Sequence, residues 1–197
     1  IPYTMLADVS DVFDSGCDGE YKLYPGGTKM EDAAESINGK ATISMQKYST
    51  ITTMKWIESE YDGEKAILPL PFGVKKTDEM LMKLSELFDK PIPEELKAER
   101  ARAVDAMTDA QQYLHGRKFA IAGDPDYLLG IVTFLLEMGA RPWHVLCSRA
   151  TKKFKKEMDA LLETSPFGEG CTTYINKDLW HMRSLLMTDP VDGIIGD

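Results

Sequence analysis

The stretch Gly116-Arg-Lys-Phe-Ala-Ile-Ala-Gly-Asp-Pro-Asp-Tyr-Leu-Leu-Gly-Ile-Val-Thr-Phe-Leu-Leu-Glu-Met-Gly-Ala-Arg-Pro-Trp-His-Val-Leu-Cys147 reads as strand, turn, helix and strand. Lys118 to Ala122 is short and apolar, and Gly123 bounds it. Asp124 suits a helix N-cap. Pro125 suits the first helical turn, where its missing N–H would be unbonded in any case. Leu128, Leu129, Val132, Leu135, Leu136 and Met138 make a broad apolar face, and Gly139 ends the helix where a positive φ costs little. Trp143 to Cys147 is a second apolar run. A unit of this kind predicts two neighbouring parallel strands joined by a right-handed crossover.

The same alternation continues outward. On the C-terminal side, Thr151 to Thr164 is amphipathic through Phe154, Met158, Leu161 and Leu162. Thr172 to Ile175 reads as a strand, Asp178 caps a helix through Trp180, Met182, Leu185 and Leu186, and Gly193 to Ile195 is a last strand. On the N-terminal side, a long charged helix at about Glu94 to His115 has few large apolar residues before Val104, Met107, Tyr113 and Leu114. Such a helix bridges units or faces a partner. Lys90-Pro-Ile-Pro93 separates it from a helix opening at Thr77-Asp-Glu79, with Met80, Leu81, Leu84 and Leu87 as its buried face. Further back, strands at Ala66 to Leu70 and Ala41 to Met45 flank a helix at Thr50 to Tyr61. Thr28-Lys-Met-Glu31 has the spacing of a capping box. Asp8 to Gly27 reads as a long polar loop and Met5-Leu-Ala7 as a weak first strand. Together these predict an α/β protein whose parallel sheets are covered by helices on both faces. Three parts are expected: an incomplete first α/β unit at 1–90, a connecting helix at 91–116, and a second α/β unit at 117–197, truncated at its C-terminal end.

The chain carries 32 acidic and 23 basic side chains, a net charge of -9, which disfavours broad binding to nucleic acid or an anionic membrane. No apolar run approaches the roughly 20 residues of a membrane helix. Cys17, Cys147 and Cys171 are far apart and form no CxxC pair, which fits a reducing, cytoplasmic setting better than a disulfide framework. His115, His144 and His181 lack zinc-site spacing. His144 reads as a core histidine, and His181 fits either a core or a ligand role. Gly123-Asp-Pro-Asp126 lies where doubly wound folds bind ligands, yet two carboxylates there would repel phosphate, so it reads as a capped helix start. Thr151-Lys-Lys-Phe-Lys-Lys156 is the most basic stretch of an acidic chain: either a solvated helix face or a docking patch for an acidic protein. Asp105 and Asp109 are spaced i, i+4 and share a helix face. A hard divalent cation takes six or more oxygens, so this pair is at most part of a site. The residues alone assemble no complete active site.

Read in order, several segments resemble the β subunits of nitrogenase component 1. They are Tyr24-Pro-Gly-Gly-Thr28, Gly73-Val-Lys-Lys-Thr-Asp-Glu79, Pro91-Ile-Pro-Glu-Glu-Leu96, Val104-Asp-Ala-Met-Thr-Asp109, Leu114-His-Gly-Arg-Lys-Phe119, Gly123-Asp-Pro-Asp126, Phe134-Leu-Leu-Glu-Met-Gly139 and Lys177-Asp-Leu-Trp-His-Met-Arg-Ser184. The resemblance runs from about Pro2 to the last residue and corresponds to the middle of the family's β chain. It implies Rossmann-like units within an α2β2 enzyme that reduces dinitrogen to ammonia. It also implies a separate iron protein that delivers electrons with ATP hydrolysis, and a P-cluster at the interface with the α subunit. The family's cluster ligands lie upstream and match none of Cys17, Cys147 or Cys171, so this segment is expected to hold no cluster and to be inactive alone. By position, Asp105 and Asp109 match an acidic pair that binds a divalent cation between two β subunits. Lys152 matches a lysine that docks the iron protein, although Ser148-Arg-Ala-Thr151 replaces the family's Asn-Gly-Asn type of loop before it. A non-catalytic cofactor-assembly scaffold shares the fold, and the Asp105/Asp109 pair favours the enzyme over it. A stand-alone α/β binding module is the reading from outside the family. The motifs leave the molybdenum, vanadium or iron-only type open, with the Asp11 to Thr28 loop leaning toward a non-molybdenum system.

Overall fold

The computed structural model describes residues 1–6 and 27–196. These form two parallel sheets. In the first, β1 (Ala41–Ser44) pairs with β2 (Glu64–Ile67), and α2 (Ile51–Glu60) crosses between them. The short helix α1 (Met30–Glu35) precedes this pair, and α3 (Gly73–Phe88) follows it. The long helix α4 (Glu94–Leu114) leads into the second sheet. Its strands are β3 (Lys118–Ala122), β4 (Arg141–Cys147), β5 (Thr172–Ile175) and β6 (Gly193–Gly196), in the order β5-β4-β3-β6 and all parallel. Helices α5 (Pro125–Glu137), α6 (Lys152–Glu163) and α7 (Leu179–Thr188) make the successive crossovers.

Because strand side chains alternate between faces, the central strands feed two cores. Ile121 and Val145 pack with Leu128 and Val132 of α5 and with Phe154 and Met158 of α6. Ala120 and Leu146 pack on the other face with Met182 of α7. This double cover explains the near-continuous apolar strands. The first sheet reaches the second through α3 and α5. A Cβ on Gly130 would lie 2.4 Å from the Phe72 ring, so the missing side chain lets the two units approach closely.

The expected βαβ unit, the Thr172–Ile175 strand and two of the caps are present as read. Thr151 accepts the Phe154 N–H at 3.2 Å, and Asp178 accepts the His181 N–H at 2.9 Å. Several expectations are corrected. Thr28 does not cap α1: its hydroxyl donates to the Met5 carbonyl, and Lys29 holds the N-cap position without a side-chain bond. Met5 and Leu6 are not in a strand. Ala7 and residues 8–26 of the proposed loop fall outside the described residues. Strand β2 lies earlier than Ala66 to Leu70, because Pro69 and Pro71 cannot donate to a ladder. Helix α3 starts at Gly73, not near Thr77, because Glu137 of α5 accepts the Lys75 N–H at 2.8 Å and caps the extra turn from a distance. Its Met80, Leu81, Leu84 and Leu87 are half-buried. Asp124 stands at the N-cap of α5, yet its side chain makes no capping bond.

Candidate functional site

Helix α6 is anchored by Phe154, Met158 and Leu162, spaced i, i+4 and i+8 and all buried. That anchoring fixes what points outward. Lys152, Lys153 and Lys156 are exposed, while Lys155 pairs with Asp159 at 2.6 Å. Lysines at a helix N-terminus oppose the helix dipole, a penalty of about 0.3–1 kcal/mol where charge and dipole meet. The cluster is therefore not there to stabilise α6. The loop before it is held by Asn176, which adopts a left-handed φ of 56°. The Asn176 side chain accepts the Ala150 N–H at 3.1 Å, and its own N–H donates to the Cys147 carbonyl at 2.8 Å.

The loop after β1 packs against both α5 and α6. Asp126 is buried, and its carboxylate accepts the N–H groups of Tyr48 at 2.9 Å and Ser49 at 3.3 Å. Burial pushes the Asp126 carboxyl above its ordinary range, and the backbone N–H bonds offset only part of that. Lys47 Nζ donates to both oxygens of Glu157, at 2.9 and 2.8 Å, and the Tyr48 hydroxyl donates to the same carboxylate at 2.5 Å. Burial raises Glu157, but the bonds from Lys47 and Tyr48, with the charges of Lys47 and Lys153, outweigh it and leave the carboxyl below its usual range. Burial first, then Glu157, holds the Tyr48 phenol well above its usual value. The Tyr48 ring meets Phe154 edge-on at 5.6 Å. None of Lys47, Tyr48, Asp126 or Glu157 stands out in the sequence as part of a site, because the partners lie 77 to 110 residues apart.

Asp105 and Asp109 sit on successive turns of α4, both exposed, while Met107, Ala110 and Leu114 form the half-buried side of that helix. The donors are hard oxygens, which suits a divalent cation. Among the described residues no group of three or more His, Cys, Asp or Glu side chains is arranged to hold a metal, so the pair has no further ligand of that type there. The structure places Lys152 and this pair on separate helices, with no shared partner among the described residues.

Iron–sulfur clusters need thiolates. Cys147 and Cys171 are placed too far apart to bind one cluster together. Burial raises both thiols, Cys171 to about 11. They lie toward opposite ends of the β4–β5 pair, since Cys147 is level with Ile175 and Cys171 precedes Thr172. Four residues of strand separate the two positions by roughly 13 Å. His144 is a core residue: its Nε2 donates to the Asp189 carbonyl at 3.0 Å. His181 is half-buried beside Tyr174, with ring centroids 5.3 Å apart. No helix among the described residues is long and apolar enough to cross a membrane.

Comparison with known proteins connects these features. The nitrogenase molybdenum-iron protein beta chain of Nostoc sp. is 56% identical over all 197 residues, which span 38% of that protein. Those of Acidithiobacillus ferridurans and Azotobacter vinelandii are 51% and 44% identical over the whole chain, again covering 38% of each relative. The solved structure of nitrogenase Cp1 at pH 6.5 superimposes with a TM-score of 0.89 at 38% identity, covering 98% of this chain and 42% of that one. Residues 6–197 match the model of the family described as Nitrogenase component 1 type Oxidoreductase. With nearly the whole chain matched and the fold shared, this chain belongs to the nitrogenase component 1 type oxidoreductase family.

Proposed function

We propose that this chain is a segment of the β subunit of nitrogenase component 1. The whole subunit, with its α partner and a second β subunit, takes electrons from an iron protein and relays them toward the reduction of dinitrogen to ammonia. A P-cluster in the full subunit would supply the electron relay. Cys147 and Cys171 do not hold it, and this segment's part is to receive the electron donor and to join subunits. The observation that carries the docking role is the lysine face of α6, held out by a buried apolar stripe in a chain of net charge -9. The long exposed face of α4, with Asp105 and Asp109, is read as the contact with the second β subunit. There the pair supplies two carboxylates toward a divalent cation, and the remaining oxygens come from water or the second β subunit. A cofactor-assembly scaffold would have no need of that pair.

Residues 1–90, 91–116 and 117–197 are read as a first α/β unit, a connecting helix and a second α/β unit. The names of the relatives favour the molybdenum type over the non-molybdenum lean of the Asp11 to Thr28 loop. A cytoplasmic setting fits the free thiols of Cys147 and Cys171.

The docking role is tested by Lys152→Glu in the assembled enzyme. Reversing one exposed charge should slow iron-protein association about tenfold at low salt, because such charges act mainly on encounter. The difference should shrink as salt rises toward 0.5 M, where screening is short-ranged. Stopped-flow electron transfer across a salt series measures both. A rate and a salt dependence equal to the unsubstituted enzyme would rule out a docking role for Lys152.

A further inference from the structure

We propose that the docking face is composite. Lys47, from the loop after β1, joins Lys152, Lys153 and Lys156 of α6, and Glu157 is the counter-charge that seats Lys47 there while weakening the attraction of the whole face for an acidic protein surface. This extends the docking role of Lys152, on which it rests, to residues of the first unit.

The Lys47 and Glu157 side chains are 37% and 36% exposed, so the pair is open to solvent. An open pair of that kind stabilises by only about 0–1 kcal/mol. The loop does not depend on it, because Asp126 already accepts two of the loop's backbone N–H groups. What the pair does fix is where a charge sits. Lys47 Nζ is held against α6 by two contacts to one carboxylate. Glu157 also lies one helical turn beyond Lys153 and feels its charge. A carboxylate of an approaching protein must therefore compete with Glu157 for both lysines. Among the four lysines and this one glutamate the net charge is +3, and neutralising Glu157 raises it to +4. Diffusional encounter with an acidic surface responds to that summed charge. The Tyr48 hydroxyl also donates to Glu157 but adds no charge of its own, and Lys47 reaches both Glu157 oxygens without it.

The test uses the assembled component 1 and its iron protein as the acidic probe, with association followed by stopped-flow at low salt. Glu157→Gln keeps an acceptor for Tyr48 and removes the charge, so association should be about threefold faster, with the gain lost at high salt. Lys47→Gln should be about threefold slower by the same reasoning. Tyr48→Phe should leave the rate unchanged. A Glu157→Gln variant no faster than the unsubstituted enzyme overturns the proposal. So does a Tyr48→Phe variant that alters the rate as much as Glu157→Gln, which would make the effect one of loop placement. If Lys152→Glu slows association while Lys47→Gln and Glu157→Gln do not alter it, the composite face falls and the docking role stands. If none of the variants moves the rate, both fall.

Discussion

Replacing Asp126 by alanine is expected to destabilise the protein by about 3 kcal/mol, whereas asparagine should cost about 1 kcal/mol or less. The difference follows from what the carboxylate does. It accepts the N–H groups of Tyr48 and Ser49 inside the packed junction between the β1–α2 loop and α5. Alanine leaves those donors without a partner, and a buried unpaired donor costs roughly 1–3 kcal/mol. Asparagine keeps an acceptor oxygen and removes a charge that burial disfavours. Urea unfolding of the assembled protein, with amide exchange at Tyr48 and Ser49, separates the two variants. Only alanine should release those amides.

The pH dependence has a definite sign. The folded-state pKa of Asp126 is raised above its ordinary 3.8, so between those two values the folded state binds more protons than the unfolded one. Its contribution to stability therefore increases as pH falls through the raised pKa and levels off below 3.8. The unsubstituted protein should gain on Asp126→Asn across that acidic window. A gap between them that narrows on acidification would contradict the assignment.

The second large effect is expected on α4. In the proposed tetramer, Asp105→Asn combined with Asp109→Asn is expected to separate the two β subunits while each αβ half keeps its clusters. Neutral amides are weaker ligands for a hard divalent cation than carboxylates, and this half-site has no third acidic, histidine or cysteine ligand among the described residues. Sedimentation with and without a chelator measures the loss. A double variant that stays a chelator-resistant tetramer with its cation in place would show that the pair is not the clamp.

Much of the second unit was legible in the sequence for a local reason. Short strand-forming runs at Lys118–Ala122 and Thr172–Ile175, the caps Thr151 and Asp178, and the stop at Gly139 are set by nearby residues. What remained hidden depends on distance. The extra turn of α3 exists because Glu137, 62 residues away, caps Lys75. Thr28 has the spacing of a cap but bonds across 23 residues to Met5. The strand order, with β6 returning beside β3, is not written in any one segment. The candidate site divided in the same way. Asp105 and Asp109 carry a readable i, i+4 spacing, and Lys152 lies in a visibly basic run, although their roles came from resemblance and not from spacing. Lys47 and Glu157 meet across 110 residues, and neither sits in a pattern that announces the other.

The proposed role is tested most directly by electron transfer in a chimera. The matching segment of the Azotobacter vinelandii β chain, 44% identical, would be replaced by residues 1–197, and the subunit assembled with its own α chain. The expected result is a cluster-bearing tetramer that accepts electrons from the iron protein with ATP and reduces dinitrogen. A chimera that assembles with its clusters and takes no electrons from the iron protein would contradict it.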